Sequence, residues 1–201
     1  MSTMYIEPNI KRSQTLILWS ALYLGACWLS VIAGFINPGM PELMITDIFT
    51  IFLIPAGLCA LIFVTLWVRS LIITARYIQP AGIGYRQGWA FWSWVTPIAS
   101  LWIPRRLIMR SFECFAWFTG RSNFLPTNLW WGLFVASQVA DTFSFRASIN
   151  FPEVAIIFDF ISAIILTIAF PQWKKIVETV TAAQAAAVER ITNQQTNSSQ
   201  G

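Results

Sequence analysis

Twelve of the thirteen Lys and Arg residues fall on one side of a membrane if a single apolar segment turns back instead of crossing. The chain holds five apolar segments, at 16–36, 48–68, 88–103, 129–145 and 154–170. When the third does not cross, only Arg146 stands opposite the N-terminus; when it does, the positive charges divide six to seven. Short-loop Lys and Arg residues set the orientation of membrane proteins, so the first layout is the expected one. It predicts four spanning helices, both termini cytoplasmic, and an irregular element between helices two and three.

Composition agrees with a membrane setting. Charged residues are 11% of the 201, where a soluble domain carries about 25%. Hydrophobic residues make up 56% and the mean hydropathy is +0.60. The net charge of +4 resides at predicted helix ends, where basic side chains orient a protein and meet anionic headgroups. No nucleic-acid motif accompanies it, and no nucleic-acid partner is expected. Histidine is absent, which removes imidazole ligands and imidazole bases. Cys27, Cys59 and Cys114 show no paired spacing, so neither a disulfide framework nor a thiolate metal site is expected. No cofactor and no metal are predicted.

Residues 1–15 read as a cytoplasmic tail. Leu24-Gly25-Ala26-Cys27 loosely matches a lipoprotein cleavage site, but the apolar run continues to Ile36, as a retained anchor does. Asn37 through Pro41 stop the first helix, because proline cannot continue one. Helix two starts near Thr46 or Asp47 and runs out to Ile78, with Pro55 inside it. The third segment, Gly88 to Ile103, would reach about 24 Å as a helix, short of a hydrocarbon core of about 30 Å. It contains Trp89, Trp92, Trp94, Trp102 and a central Pro97, and tryptophan favours the membrane interface. A re-entrant or interfacial segment over 88–104 is therefore predicted, sheltered by the four spans.

Residues 105–121 have the spacing of an amphipathic helix. Arg106, Arg110 and Glu113 share one face, and Leu107, Ile108, Phe112 and Phe115 another. Such a helix is expected on the inner leaflet, with Arg105, Arg106 and Arg110 at lipid headgroups. Helix three follows Pro126-Thr127-Asn128, and helix four ends near Pro171-Gln172-Trp173-Lys174-Lys175. A single membrane domain over 16–175 is expected, then a cytoplasmic helix and, from Thr192, a disordered tail.

Gly88-Trp89, Trp94-Val95-Thr96-Pro97-Ile98-Ala99, Leu101-Trp102-Ile103-Pro104, Met109 and Leu129-Trp130-Trp131 form a pattern. It resembles the bacterial membrane family catalogued as domain of unknown function 4328. There a Trp-x-x-Pro-Ile segment precedes Leu-Trp-x-Pro, and a Trp-Trp pair opens the next helix. Here Ala99-Ser100 stands where the family often shows a small residue and then Asn. The resemblance covers 15–175, with its specific part at 88–131. It implies a bacterial inner-membrane protein with a shared fold, and no activity. Trp89, Trp94, Pro97, Trp102, Pro104, Trp130 and Trp131 become candidates for partner binding or packing.

Ionisable residues inside spans are costly and mark functional sites by default. Asp141, with Gln138 one turn before it, and Asp159 are the candidates, with Arg146 closing helix three. Asp141 and Arg146 lie about 140° apart on a helix, so Arg146 is expected to meet Glu153 or Asp159 across the outer hairpin instead. These acids either cap, pair and face water, or line a polar cavity for a cation, a proton or a polar ligand. Cys114 and the serines lack a histidine base and a nucleophile elbow, so no enzyme is expected. The leading expectation is a partner-binding or membrane-sensing accessory protein in contact with the bilayer, another membrane protein or a second copy. The alternative is a small channel or carrier using Asp141, Asp159 and the broken 88–104 segment.

Overall fold

A backbone in hydrocarbon must satisfy its own hydrogen bonds, and helices do so segment by segment. A computed structural model describes residues 9–36, 42–80, 84–96, 98–120, 125–149 and 151–198, with the backbone alone at 42–50, 152 and 198. The α-helices are α1 (Ile10–Ile36), α2 (Glu42–Ile78), α3 (Trp89–Val95), α4 (Ile103–Thr119), α5 (Thr127–Ser148) and α6 (Pro152–Ser198), with a 3-10 turn at Ala99–Leu101. The described residues contain no strand. Three helices are long and apolar enough to cross a membrane, in the stretches Ile10–Ile36, Ile51–Ile78 and Glu153–Asn197. The described residues are all-helical, and three of their helices suit a membrane by length and composition. Helix α5, expected as a span at 129–145, is not among the three. Ser137, Gln138, Asp141, Thr142, Ser144 and Arg146 dilute its apolar content.

Two helices are longer than their apolar runs. Helix α1 begins at Ile10, so Lys11 and Arg12 lie in its first turn instead of a tail. Helix α6 runs through Pro171 to Ser198, where a disordered end from Thr192 was expected. The ring of Pro171 is exposed, and the loss of one backbone bond there is tolerated. Beyond it, the Ala-rich stretch 182–187 favours helix, and buried Val188 and Ile191 anchor the extension.

The chain groups into two compact units. Unit 1 comprises 1–16, 63–127 and 175–201; unit 2 comprises 17–62 and 128–174.

In unit 2, α5 and the first part of α6 pack antiparallel. Phe143 stacks on Phe158 at 5.6 Å, and Trp130 on Trp173 at 4.7 Å. The Ser144 hydroxyl donates to the Ala155 carbonyl at 3.1 Å. Buried small residues line both helices: Ser137, Ala140 and Ser144 on α5, and Ala155, Ser162 and Ala163 on α6. Small side chains let backbones approach where no hydrophobic force drives helices together. Helix α1 runs antiparallel to α6. Trp28 Nε1 donates to Thr167 Oγ1 at 2.9 Å, Phe35 meets Phe160 edge-on at 5.9 Å, and Trp173 Nε1 donates to Ser20 Oγ at 3.2 Å. Leu29, Ile32, Phe52, Ile54 and Ile168 point outward, as lipid-facing residues do.

In unit 1, residues 63–78 of α2 and 175–198 of α6 run parallel along a polar seam. Trp67 is fully buried, and its Nε1 donates to Thr181 Oγ1 at 3.0 Å. Gln184 Nε2 reaches Thr74 Oγ1 at 2.8 Å and Ser70 Oγ at 3.1 Å. Asn9 Nδ2 donates to the Trp67 carbonyl at 3.0 Å, tying in the start of the chain's helical part. Helix α4 opens with Pro104 in its first turn, where the missing N–H costs nothing. It ends at Gly120, whose φ of 71° lets its N–H reach the Ala116 and Trp117 carbonyls.

The amphipathic character expected at 105–121 is present, but its apolar face does not lie on a leaflet. Leu107, Ile108, Phe112 and Phe115 are buried within unit 1, and Cys114 Sγ contacts the Ala75 carbonyl at 3.5 Å. Protein covers that face, and the contact at Ala75 brings α2 against it.

Trp67→Ala deletes a fully buried indole and leaves the Thr181 hydroxyl unpaired. It should lower unfolding stability in detergent by about 3–5 kcal/mol, while Trp92→Ala, at an exposed position, should change it by about 0.5 kcal/mol or less. Chemical denaturation followed by circular dichroism checks the contrast.

Candidate functional site

Two arrangements gather the polar and aromatic residues that the sequence singles out. The first, in unit 2, is built on the antiparallel register of α5 and α6. That register sets Asp141 opposite Ser162 and Asp159 opposite Ser144. Each serine hydroxyl lies within hydrogen-bonding reach of the facing carboxylate, and the two carboxylates are close enough to interact. Each serine gives its one hydroxyl proton to a backbone carbonyl, Ser144 to Ala155 at 3.1 Å and Ser162 to Ser137 at 3.4 Å.

Helix α1 adds Tyr23 and Cys27, one turn apart and close enough to influence each other, both within electrostatic reach of Asp141. The carboxylates, hydroxyls and thiol make a polar cluster that can hold a small cation or pass a proton among hydroxyls. No group of three or more Cys, Asp or Glu side chains that could hold a metal ion occurs among the described residues.

Gln138 and Arg146 do not join this cluster, since both side chains are exposed. The expected pairing of Arg146 with Glu153 or Asp159 is absent among the described residues. Asp159 turns inward to Ser144, while Arg146 and Glu153 sit exposed at the hairpin. Tyr23 and Ser162 were not singled out in the sequence, Ser144 was noted only as a polar neighbour of Asp141, and Cys27 only as an unpaired thiol. The spacing of Tyr23 and Cys27 at i and i+4 was the available signal, because it puts both on one face of α1.

The second arrangement is the Trp/Pro segment in unit 1. Helix α3 has only seven residues. Thr96 leaves it in an extended conformation, as the residue before a proline does. Pro97 itself lies outside the described residues. The chain resumes in the 3-10 turn at Ala99–Leu101 and enters α4, with α3 in contact with both. Ala90, Ser93, Ala99, Ile103 and Pro104 form the inner side. Trp89 packs edge-on against Tyr85 at 6.3 Å, and Trp94 is half-buried. Phe91, Trp92, Val95, Ile98, Leu101 and Trp102 stand outward, with Trp92 57% and Ile98 69% exposed.

The arginines flanking this edge differ in freedom. Arg105 Nε donates to Thr127 Oγ1 at 3.2 Å, and Arg110 lies over the Tyr85 ring at 5.6 Å. Arg106 and Arg86 are exposed. The Trp130-Trp131 pair belongs to neither arrangement. Both rings are buried in unit 2, within an aromatic stack with Phe134 and Trp173.

No family model, curated protein or solved structure matches the chain.

Cys114, the one thiol outside the apolar runs, is buried against the Ala75 carbonyl, and that burial pushes its thiol above the ordinary range. The thiolate is the reactive form. In a Cys27→Ser, Cys59→Ser background, maleimide labelling of the folded protein at pH 7 should therefore be far slower than after unfolding. The rate should climb only as pH passes above the usual thiol pKa of about 8.5. Timed labelling read by mass spectrometry decides the matter.

Proposed function

We propose that this is a four-span, non-enzymatic bacterial inner-membrane protein with both termini cytoplasmic, and that its basic unit 1 serves a partner-binding or membrane-sensing accessory role. In this reading α5 is the fourth span; its 22 residues reach about 33 Å, enough for a core of about 30 Å. The Trp/Pro segment is interfacial, and does not cross.

The observation that carries the proposal is the membership of unit 1. Its residues, 1–16, 63–127 and 175–201, nearly coincide with those that charge bias puts in the cytoplasm, namely 1–15, 69–128 and 171–201. Unit 1 holds eleven Lys and Arg against four Asp and Glu, a net +7. Unit 2 holds two against five, a net −3. The exposed aromatic edge belongs to the strongly basic unit, a combination suited to binding.

A second reading is favoured by the paired carboxylates of unit 2. Two acids at membrane depth, each near a serine hydroxyl, suit a small cation carrier or channel.

The first reading is checked by thiol accessibility in intact cells. In a background lacking Cys27, Cys59 and Cys114, a cysteine replacing Arg146 should react with an impermeant maleimide, and one replacing Arg106 only after lysis. Labelling at 106 from outside, with 146 protected until lysis, would mean that the third segment spans. The second reading predicts that Asp141→Asn or Asp159→Asn abolishes a cation or proton flux in proteoliposomes without loss of helicity. Wild-type flux in both variants removes it.

A further inference from the structure

We propose that the Phe91–Trp102 edge of unit 1 docks into the headgroup region of an anionic phospholipid leaflet, with Arg86 and Arg106 gripping lipid phosphates on either side. This rests on the reading above that unit 1 is the working surface, and it names the partner.

The apolar face of α4 is already covered by protein, so it does not serve a leaflet. The 91–102 edge is a run of large apolar side chains that unit 1 leaves open among its described residues. Phe91, Trp92, Val95, Ile98, Leu101 and Trp102 project from a short helix, a turn and the entry to α4. Their inner neighbours Ala90, Ser93 and Ala99 are buried, which fixes the outward direction of the others. Aromatic and branched aliphatic side chains on one short rigid edge suit the acyl–headgroup boundary, where indole rings concentrate.

Charge selects the leaflet. Arg86 accepts at its carbonyl from the Trp89 N–H, and the Arg106 N–H donates to the Trp102 carbonyl. These two exposed arginines thus flank the apolar edge along the chain, Arg86 one turn before Trp89 and Arg106 one turn after Trp102. No acidic residue occurs between Asp47 and Glu113, so nothing local repels phosphate. Arg105 is held by Thr127, and Arg110, also exposed, lies over the Tyr85 ring. A protein partner needs no such uniform sign, whereas an anionic surface does.

The test uses the full chain with Cys27, Cys59 and Cys114 changed to Ser and one cysteine, replacing Ile98, bearing an environment-sensitive fluorophore. The protein is reconstituted in nanodiscs of phosphatidylcholine with or without phosphatidylglycerol, and quenching by aqueous iodide is read. Protection at 98 should rise severalfold with phosphatidylglycerol. It should fall back at about 1 M salt, where screening acts within about 3 Å. In Arg86→Gln/Arg106→Gln, partitioning of the edge should weaken by about fivefold for each arginine removed, at unchanged helicity. Equal quenching with and without phosphatidylglycerol overturns the proposal. So does protection in native membranes that vanishes in pure lipid, which would mean that a protein covers the edge. A label replacing Leu29, mid-way along α1, separates the two claims. If it is shielded while position 98 stays open, leaflet docking fails and the membrane reading stands; if it too is open to iodide, both fail.

Discussion

The fully buried Trp67 indole and Gln184 amide, both bonded across the α2–α6 seam, are the interactions on which unit 1 depends. Apolar packing alone leaves two parallel helices free to slide by a turn. A buried amide with donors aimed at Ser70 and Thr74 does not, because sliding would strand it without partners. With that register set, the Ala75 side of α2 accepts the apolar face of α4. The position of α4 then decides where its leading turn, and the aromatic edge before it, can point.

Unit 2 obeys the same chemistry with the opposite sign. Its packed surfaces are made of small residues, and its polar exceptions face one another. Ser144 and Ser162 each give their proton to a backbone carbonyl beside an acid, so rotating a hydroxyl would change the Asp141 and Asp159 environment. A polar cluster with that freedom differs from the fixed amide of unit 1, and it is where a charge could be taken up or released.

Much of this was legible in the sequence, for identifiable reasons. The apolar runs and the position of Pro104 before an amphipathic stretch locate α1, α2, α4 and α6, because those signals are local. The failure of 88–103 to form one continuous helix was readable from its length and Pro97. The partner of the α4 face was not readable. Whether Leu107 and Phe112 meet lipid or protein depends on Trp67 and Ala75, distant in sequence and unmarked by spacing. The polar seam was hidden too, since Ser70, Thr74 and Gln184 look like ordinary polar residues of exposed helix ends. The Asn/Gln/Ser composition after Thr192 pointed to disorder, and buried Ile191 and the Tyr77–Gln195 hydrogen bond of 2.9 Å override it. Asp141 and Asp159 were visible as costly charges, but their serine and tyrosine neighbours required the helix register.

The central claim is that the chain between α2 and α5 enters and leaves on one side of the membrane. The most direct measurement fuses a reporter that fluoresces only in the cytoplasm after residue 125 and, separately, after residue 201, in a bacterial host. The account predicts bright cells from both fusions and dark cells from a fusion after residue 149. Darkness from the fusion after residue 125 would contradict it, since the Trp/Pro segment would then cross the bilayer and the aromatic edge would lie on the wrong side.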